Sequence, residues 1–409
     1  MAKIFDDIKK RIREVGAIEG LEEKEIKLLL EPKRIKKVQL KVDGKEYSAW
    51  RILFNDVLGP GKGGIRFHPN VSEDEVVSLA FWMSLKTSLA ELPYGGAKGG
   101  IQFNPKEKTT EEIEEISRAY IDSFYEVLGE DVDIPAPDVY TNSQIMAWML
   151  DEFEKKTNKH EPGMITGKPL ELQGCAIRAT ATAKGGFIVI QEMAKELMAG
   201  EKEIKVAVQG FGNAGANLAK MLFEAGFKVV AVSDSQGGIY NQNGLDVERI
   251  EKIKEQTGSV GGQLEEEKKI NNQEILELPV DILVLAALEN QITEKNADQI
   301  KANYIVEIAN GPINYQADQR LAKKGTLIIP DILANAGGVI CSYFEWAQNK
   351  TGNILDRNYL EKLLTEKMQR SWQKVFALHQ EKGGIDLRTA AYILAIRRIL
   401  IAEKLRGNL

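Results

Sequence analysis

The run Gly210-Phe211-Gly212-Asn213-Ala214-Gly215 limits the possible folds more than any other stretch of the chain. It fits G-x-G-x-x-G, a weak pattern alone. Here it follows a β-branched run over 204–208, opens a helical pattern over 214–225 and leads to a second such run over 228–232. Asp234 closes that second run. This is the full context a dinucleotide-binding turn needs. Gly210 permits the tight turn, Gly212 lets the backbone approach a pyrophosphate, and Gly215 lets helix pack on strand. The helix N-terminus adds free amides and a positive dipole end. Further short apolar runs over 281–286, 304–309 and 326–329 alternate with helical patterns, which predicts a parallel sheet with crossover helices. Asp234 is suited to the adenosine ribose hydroxyls and repels a 2′-phosphate, and Ser235 to Gly238 offer no cation. NAD is therefore expected ahead of NADP.

Lysine stands among glycines at Gly61-Lys62-Gly63, Ala97-Lys98-Gly99 and Gly167-Lys168-Pro169. None is followed by Ser or Thr, so a Walker A loop is rejected. With 43% hydrophobic and 28% charged residues the chain is not of disordered composition. A net charge of -6 with both signs mixed gives no nucleic-acid footprint. Two cysteines and three separated histidines exclude a disulfide scaffold and disfavour a metal site. No run of 18 apolar residues exists to span a membrane. Met1 to Asp7 lacks the apolar core of a signal peptide, and the two cysteines fit a reducing cytoplasm.

Ahead of the dinucleotide turn the chain reads as a different domain. Helical spacing over 9–30 predicts one helix. Alternation over 35–42, then Asp43-Gly44 and a returning strand over 47–54, predicts a hairpin. Ser72 with Glu75, and Thr109 with Glu112, predict two capping boxes opening helices. Another helix is expected over 141–156. The polar, Gly- and Pro-containing segment 157–172 is a candidate boundary, and the chain is helical again from Gly337.

Glycine as dense as that around Lys62 and Lys98 lets the backbone come close to something and gives a site a fixed shape. A lysine in such a cleft beside other cations has a lowered pKa, and can act on a carbonyl carbon as acid, base or nucleophile. Lys98 qualifies on this reading. Lys86, late in a helix, would alone be a surface charge. Asp138, after Pro137, is the carboxylate to pair with the lysines, although local sequence alone reads it as a turn residue.

Taken together these segments resemble the glutamate/leucine/phenylalanine/valine dehydrogenase superfamily, and within it the small hexameric glutamate dehydrogenases. The resemblance runs from about Lys36 to the C-terminal helices. It is carried by 92–100 with Asn104-Pro105, by Lys62-Gly63-Gly64-Ile65-Arg66, Pro135-Ala136-Pro137-Asp138, 210–215 and Asn335-Ala336-Gly337-Gly338-Val339. It implies reversible oxidative deamination with NAD or NADP in an α/β protein. An N-terminal substrate and oligomerisation domain (1–180) would precede a Rossmann-type domain (181–335), and the C-terminal helices (336–409) would return to the first domain. Lys98 would activate the attacking water and Asp138 would move protons at the amino nitrogen. Lys86 would hold the α-carboxylate and Lys62 the side-chain carboxylate, with Gly64, Met83, Val339 and Ser342 completing the substrate pocket. Thr182, Asn213 and Asn310 would join Gly210, Gly212, Gly215 and Asp234 at the cofactor.

Leucine, valine and phenylalanine enzymes of the superfamily carry apolar residues where this chain has Lys62 and Ser342. An apolar substrate would leave both without partners, so the expected substrates are glutamate, 2-oxoglutarate and ammonium. A homo-hexamer is expected, with no nucleic-acid or membrane partner. Many members have Gly-Gly-Ser-x-Gly-Arg where this chain reads Gln173-Gly174-Cys175-Ala176-Ile177-Arg178. That departure keeps a non-catalytic subunit of a hetero-hexamer as an alternative, beside a leucine, valine or phenylalanine dehydrogenase.

Overall fold

Val42 pairs with Lys45 across the two-residue turn Asp43-Gly44, both with positive φ (48° and 73°). A turn of this hand matches the twist of the strands it joins. In the computed structural model, which describes residues 4–262 and 266–409, β1 (Arg34–Val42) and β2 (Lys45–Asn55) thus form the predicted hairpin. The opening tripeptide, part of the stretch read as lacking a leader, lies outside the described residues.

Before the hairpin come α1 (Ile4–Glu19) and α2 (Glu23–Leu30). The single helix expected over 9–30 is two. Gly20 turns left-handed at φ 66°, and a box between Glu22 and Glu25 restarts the chain. After the hairpin follow β3 (Gly61–Lys62), β4 (Ile65–Phe67), α3 (Glu73–Leu89), β5 (Gly96–Ile101), α4 (Thr110–Phe124), β6 (Asp133–Ile134) and α5 (Ser143–Thr157). The sheet order is β1-β2-β5-β4, with β3 and β6 paired separately. Helix α3 packs on β2 and β5. Ile65, Phe67 and Ile101 share a core with Tyr120 and Phe124 of α4 and Met146 and Met149 of α5. Thr109 and Glu112 form their full capping box. Only half of the Ser72 box forms: Ser72 Oγ accepts from Glu75 N, while the Glu75 carboxylate is drawn to Arg66.

The chain divides into two units. The first holds residues 1–178, 339–361 and 392–409, and the second 179–338 and 362–391. The segment 157–172 is no linker. Lys168 within it is buried in the first unit, and the division falls after Arg178.

The second unit begins with α6 (Ala181–Leu197), β7 (Lys205–Gln209), α7 (Asn213–Glu224), β8 (Lys228–Asp234), β9 (Gly237–Tyr240), α8 (Val247–Thr257), β10 (Lys268–Ile270) and α9 (Asn272–Leu276). It continues with β11 (Ile282–Leu285), β12 (Tyr304–Glu307), α10 (Tyr315–Lys323), β13 (Leu327–Ile329) and α11 (Asp331–Ala334). The seven strands run β10-β9-β8-β7-β11-β12-β13. The five predicted strands, β7, β8, β11, β12 and β13, are all parallel. At one edge β9 and β10 are antiparallel additions. Both are four residues or fewer, too short for a periodicity to reveal. Three helices close the chain: α12 (Gly337–Thr351), α13 (Arg357–Glu381) and α14 (Leu387–Leu405). The expected spans were contiguous, whereas residues 362–391 of these helices group with the second unit.

Candidate active site

In the first unit the glycines beside the lysines are set by protein neighbours. A Cβ on Gly63 would sit 1.6 Å from Ala97 O, and one on Gly96 would sit 2.2 Å from Ser84 N of α3. The close approach inferred around Lys98 is strand on strand and strand on helix, which locks β5 against its surroundings. Lys98 therefore leaves a rigid strand, and its Nζ lies 3.1 Å from Asp138 Oδ1. Arg66 Nε donates to Asp138 Oδ2 at 2.9 Å. Thr141 Oγ1 accepts from Asp138 N at 2.7 Å and donates to Ile65 O. Gly64 faces the same residue, since its Cβ would meet Asp138 Cβ at 2.8 Å.

Burial pushes the Lys98 ammonium below the usual lysine range; Asp138 opposes this and Arg66 adds to it. Burial alone would raise Asp138, but Lys98 and Arg66 outweigh it and hold the carboxyl well below the usual carboxylate range. The two directions agree because Arg66 stabilises the anion and repels the cation.

Lys62 is 1% exposed and donates to Ile134 O (3.2 Å) and Pro135 O (3.1 Å). Burial first, then Arg178 and Arg51, hold its ammonium well below the lysine range, against Glu345 and Asp133. Arg51, wholly buried, braces this strand by pairing with Asp133 and donating to Gly63 O at 3.0 Å. Ser342 lies on α12, and its Oγ accepts from Arg178 Nη1 at 2.8 Å. Lys62, Arg178 and Ser342 thus form one polar cluster. Arg178 is the residue the sequence reading passed over. Its signal was present, as the cation ending the altered run 173–178. Met83 flanks Gly63, its Cγ 3.4 Å from where a Cβ would stand. Lys86 is buried on α3 at 7% exposure, not the surface charge its helical position alone suggested. Val339 opens the first-unit part of α12 at 8% exposure.

In the second unit the turn after β7 has the geometry a dinucleotide requires. Gly210 has φ 94° and packs against Ala286 and Ala287, and a Cβ on Gly215 would strike Gly210 O at 1.8 Å. Above Gly212, the N-cap of α7, nothing lies within 4 Å of an added Cβ. Backbone, helix end and open space fit a pyrophosphate there. Asn213 Nδ2 donates to Ala179 O at 3.0 Å. Thr182 stands in the first turn of α6, its Oγ1 2.7 Å from where a Cβ on Gly338 would be. Asn310 Oδ1 accepts from Asn335 Nδ2 at 3.0 Å, and Asn335 Oδ1 is buried with no hydrogen-bond partner among the described residues.

Asp234 ends β8, where Oδ2 accepts from Val260 N and Oδ1 from Gln236 N, each at 2.8 Å. Ser235 to Gly238 carry no cation, but one reaches Asp234 from further along the chain. Lys254 of α8 places Nζ 3.9 Å from Asp234 Oδ2 and donates to Phe211 O at 2.5 Å. It comes from a helix rather than from the residues following the strand, so local sequence could not show it. Among the described residues no His, Cys, Asp or Glu group is placed to hold a metal ion.

A strand–glycine turn–helix unit, in one chain with a buried lysine–carboxylate pair, defines a dinucleotide-binding α/β protein of two units. Family profiles of the Glu/Leu/Phe/Val dehydrogenase dimerisation domain and of Glutamate/Leucine/Phenylalanine/Valine dehydrogenase match residues 32–155 and 174–407. The chain belongs to this family. It is 44% identical to an NADP-specific glutamate dehydrogenase of Synechocystis, over 99% of this chain and 97% of that one. It is also 44% identical to an NAD-specific glutamate dehydrogenase of Staphylococcus aureus, over 98% and 96%. Among solved structures it is similar to the hetero-hexameric glutamate dehydrogenase of Thermus thermophilus in its Leu-bound form (TM-score 0.92, 33% identity, 100% and 98% covered). It is similar too to glutamate dehydrogenase of Peptoniphilus asaccharolyticus (TM-score 0.85, 37% identity, all of both chains).

Proposed function

We propose that this chain is a glutamate dehydrogenase that interconverts L-glutamate with 2-oxoglutarate and ammonia, using NAD or NADP. One observation carries the substrate reading: Lys62, buried with the charge of Arg178 acting on it and Ser342 on Arg178, makes a cationic pocket end suited to a second carboxylate. Lys62, Arg178 and Ser342 take the γ-carboxylate, Lys86 the α-carboxylate, and Gly64, Met83 and Val339 shape the space between.

The bound nicotinamide supplies the hydride acceptor. Thr182, Gly210, Gly212, Asn213, Gly215, Asp234 and Asn310 are the residues to hold the cofactor. Lys254 can meet a 2′-phosphate and Asp234 a ribose hydroxyl, so both cofactors have a partner at that end.

In deamination Asp138, kept ionised, receives the proton from the substrate amino group. Lys98, kept easy to deprotonate, draws the proton from water as it adds to the iminium carbon, and then donates to the departing amine. Each group tunes the other: once Lys98 is neutral its hold on Asp138 weakens and the carboxylate becomes a better base. The contact between Lys98 and Asp138 favours this over a non-catalytic subunit.

A homo-hexamer is proposed on the β1 edge, a nine-residue strand paired on one side only among the described residues. No helix among the described residues is long and apolar enough to cross a membrane. Cytoplasmic residence is supported by two free, buried cysteines. The test is to mix the purified protein with ammonium, NADH or NADPH, and either 2-oxoglutarate or a branched-chain 2-oxo acid. Loss of reduced-nicotinamide absorbance with 2-oxoglutarate is expected; preference for the branched acid would overturn the substrate reading.

A further inference from the structure

Strands β4 and β5 pair in parallel with Arg66 opposite Gly100, two residues beyond Lys98. Side chains two apart on a strand share a face, so Arg66 and Lys98 leave the sheet on the same side. Helix α3 packs on β5, and Glu75 lies in its first turn. The Glu75 carboxylate pairs with Nη1 of Arg66, which is 8% exposed. The same guanidinium gives Nε to Asp138 Oδ2 at 2.9 Å, and Lys98 Nζ lies 3.1 Å from Asp138 Oδ1. Glu75, Arg66, Asp138 and Lys98 are thus linked in that order, two carboxylates alternating with two cations. Asp138 and Lys98 handle the protons; Arg66 and Glu75 stand behind them. Arg66 meets Asp138 through one bond, whereas a guanidinium beside a carboxylate favours the two-bond fork. In a fork both Asp138 oxygens would be taken, and Lys98 would lose its partner.

We propose that Glu75 is a positioning residue for the reaction: by holding Nη1 it fixes the plane of the Arg66 guanidinium, keeps the bond to Asp138 single, and so reserves Asp138 Oδ1 for Lys98. The inference rests on the reading of Lys98 and Asp138 as the reacting pair. Burial disfavours the Lys98 ammonium, Asp138 and Glu75 sustain it, and Arg66 sides with burial. Without Glu75 the ammonium loses both its contact and a nearby anion, and gives up its proton at lower pH.

The test follows glutamate deamination across pH in the parent, Glu75→Ala, Glu75→Gln, Arg66→Lys and the E75A/R66K double variant. In E75A kcat should fall about tenfold or more, with KM for glutamate and for the cofactor within about twofold of the parent. Its rise with pH should also move to lower pH. Glutamine keeps an acceptor for Nη1, so E75Q should recover most of the loss and show the smaller shift. Lysine has no planar edge to form a fork, so adding E75A to R66K should cost little beyond R66K alone. E75A leaves Arg66 paired with Asp138 and buries no lone charge; should it still not fold, Glu75→Met takes its place. A mere brace for α3 would lower the melting temperature and leave kcat and its pH rise as in the parent. That result, equal losses in E75A and E75Q, or additive losses in the double variant would overturn the proposal. Asp138→Asn separates the two readings. If D138N keeps parental kcat, the reacting pair itself is misassigned; if D138N loses turnover while E75A does not, only the role of Glu75 fails.

Discussion

Asp138 Oδ1 lies 3.1 Å from Lys98 Nζ while its other oxygen takes the Arg66 Nε at 2.9 Å. The carboxylate is thus shared between a cation that can lose its proton and one that cannot. Charge moved onto or off Lys98 is felt at once by Asp138.

This coupling fixes a pH response. Burial lowers Lys98 and the Asp138 charge partly restores it, so turnover in deamination rises through an apparent pKa below the ordinary lysine value of 10.5. In Asp138→Asn the opposing charge is gone, and the rise should shift to lower pH. The kcat should also fall about 10²–10⁴-fold through loss of the base. Steady-state kinetics across pH read both; an unshifted profile in D138N would show that the pair does not titrate as a unit.

The side-chain pocket makes a separate prediction. Lys62→Leu with Ser342→Val replaces a buried ammonium and a hydroxyl at the pocket end by apolar groups. The ratio of kcat/KM for glutamate to that for an apolar amino acid should drop by about two orders of magnitude or more. Retention of the full glutamate preference would place the γ-carboxylate elsewhere.

At the cofactor, Lys254→Ala should leave kcat/KM for NADH nearly unchanged and lower that for NADPH by about tenfold, the cost of losing one charge-assisted contact to phosphate. An equal effect on both would mean that Lys254 only braces Phe211 O.

What was legible in the sequence followed the range of its signals. Hairpin, glycine turn and parallel strands are local patterns, and each appears where its periodicity or turn chemistry put it. Four of the misses share one cause, a distant residue outbidding a local rule. Glu75 left its capping box for Arg66, and Lys254 reached Asp234 from a helix 20 residues further along. Lys168, in a stretch that reads as linker, is buried because Glu345 of α12 pairs with it. The same holds for Arg178, whose partner Ser342 lies 164 positions away.

The buried pair beneath the pocket should carry stability rather than chemistry. Asp133 and Arg51 are both fully buried, and Arg34 joins them at 3.1 Å. Asp133→Ala leaves two guanidinium groups without their anion, and should destabilise the first unit by about 3–5 kcal/mol. Denaturant unfolding measures this, and a loss under 1 kcal/mol, about the scale of a surface pair, would show the charges to be solvated.

The most direct measurement compares Lys98→Ala with the parent for 2-oxoglutarate, ammonium and reduced cofactor, together with cofactor affinity by fluorescence titration. Lys98 lies in the first unit and the glycine turn in the second, so the variant should bind cofactor as the parent does while kcat falls at least about 10²-fold. Near-parental turnover in K98A would contradict the assignment of the chemistry to the Lys98–Asp138 pair.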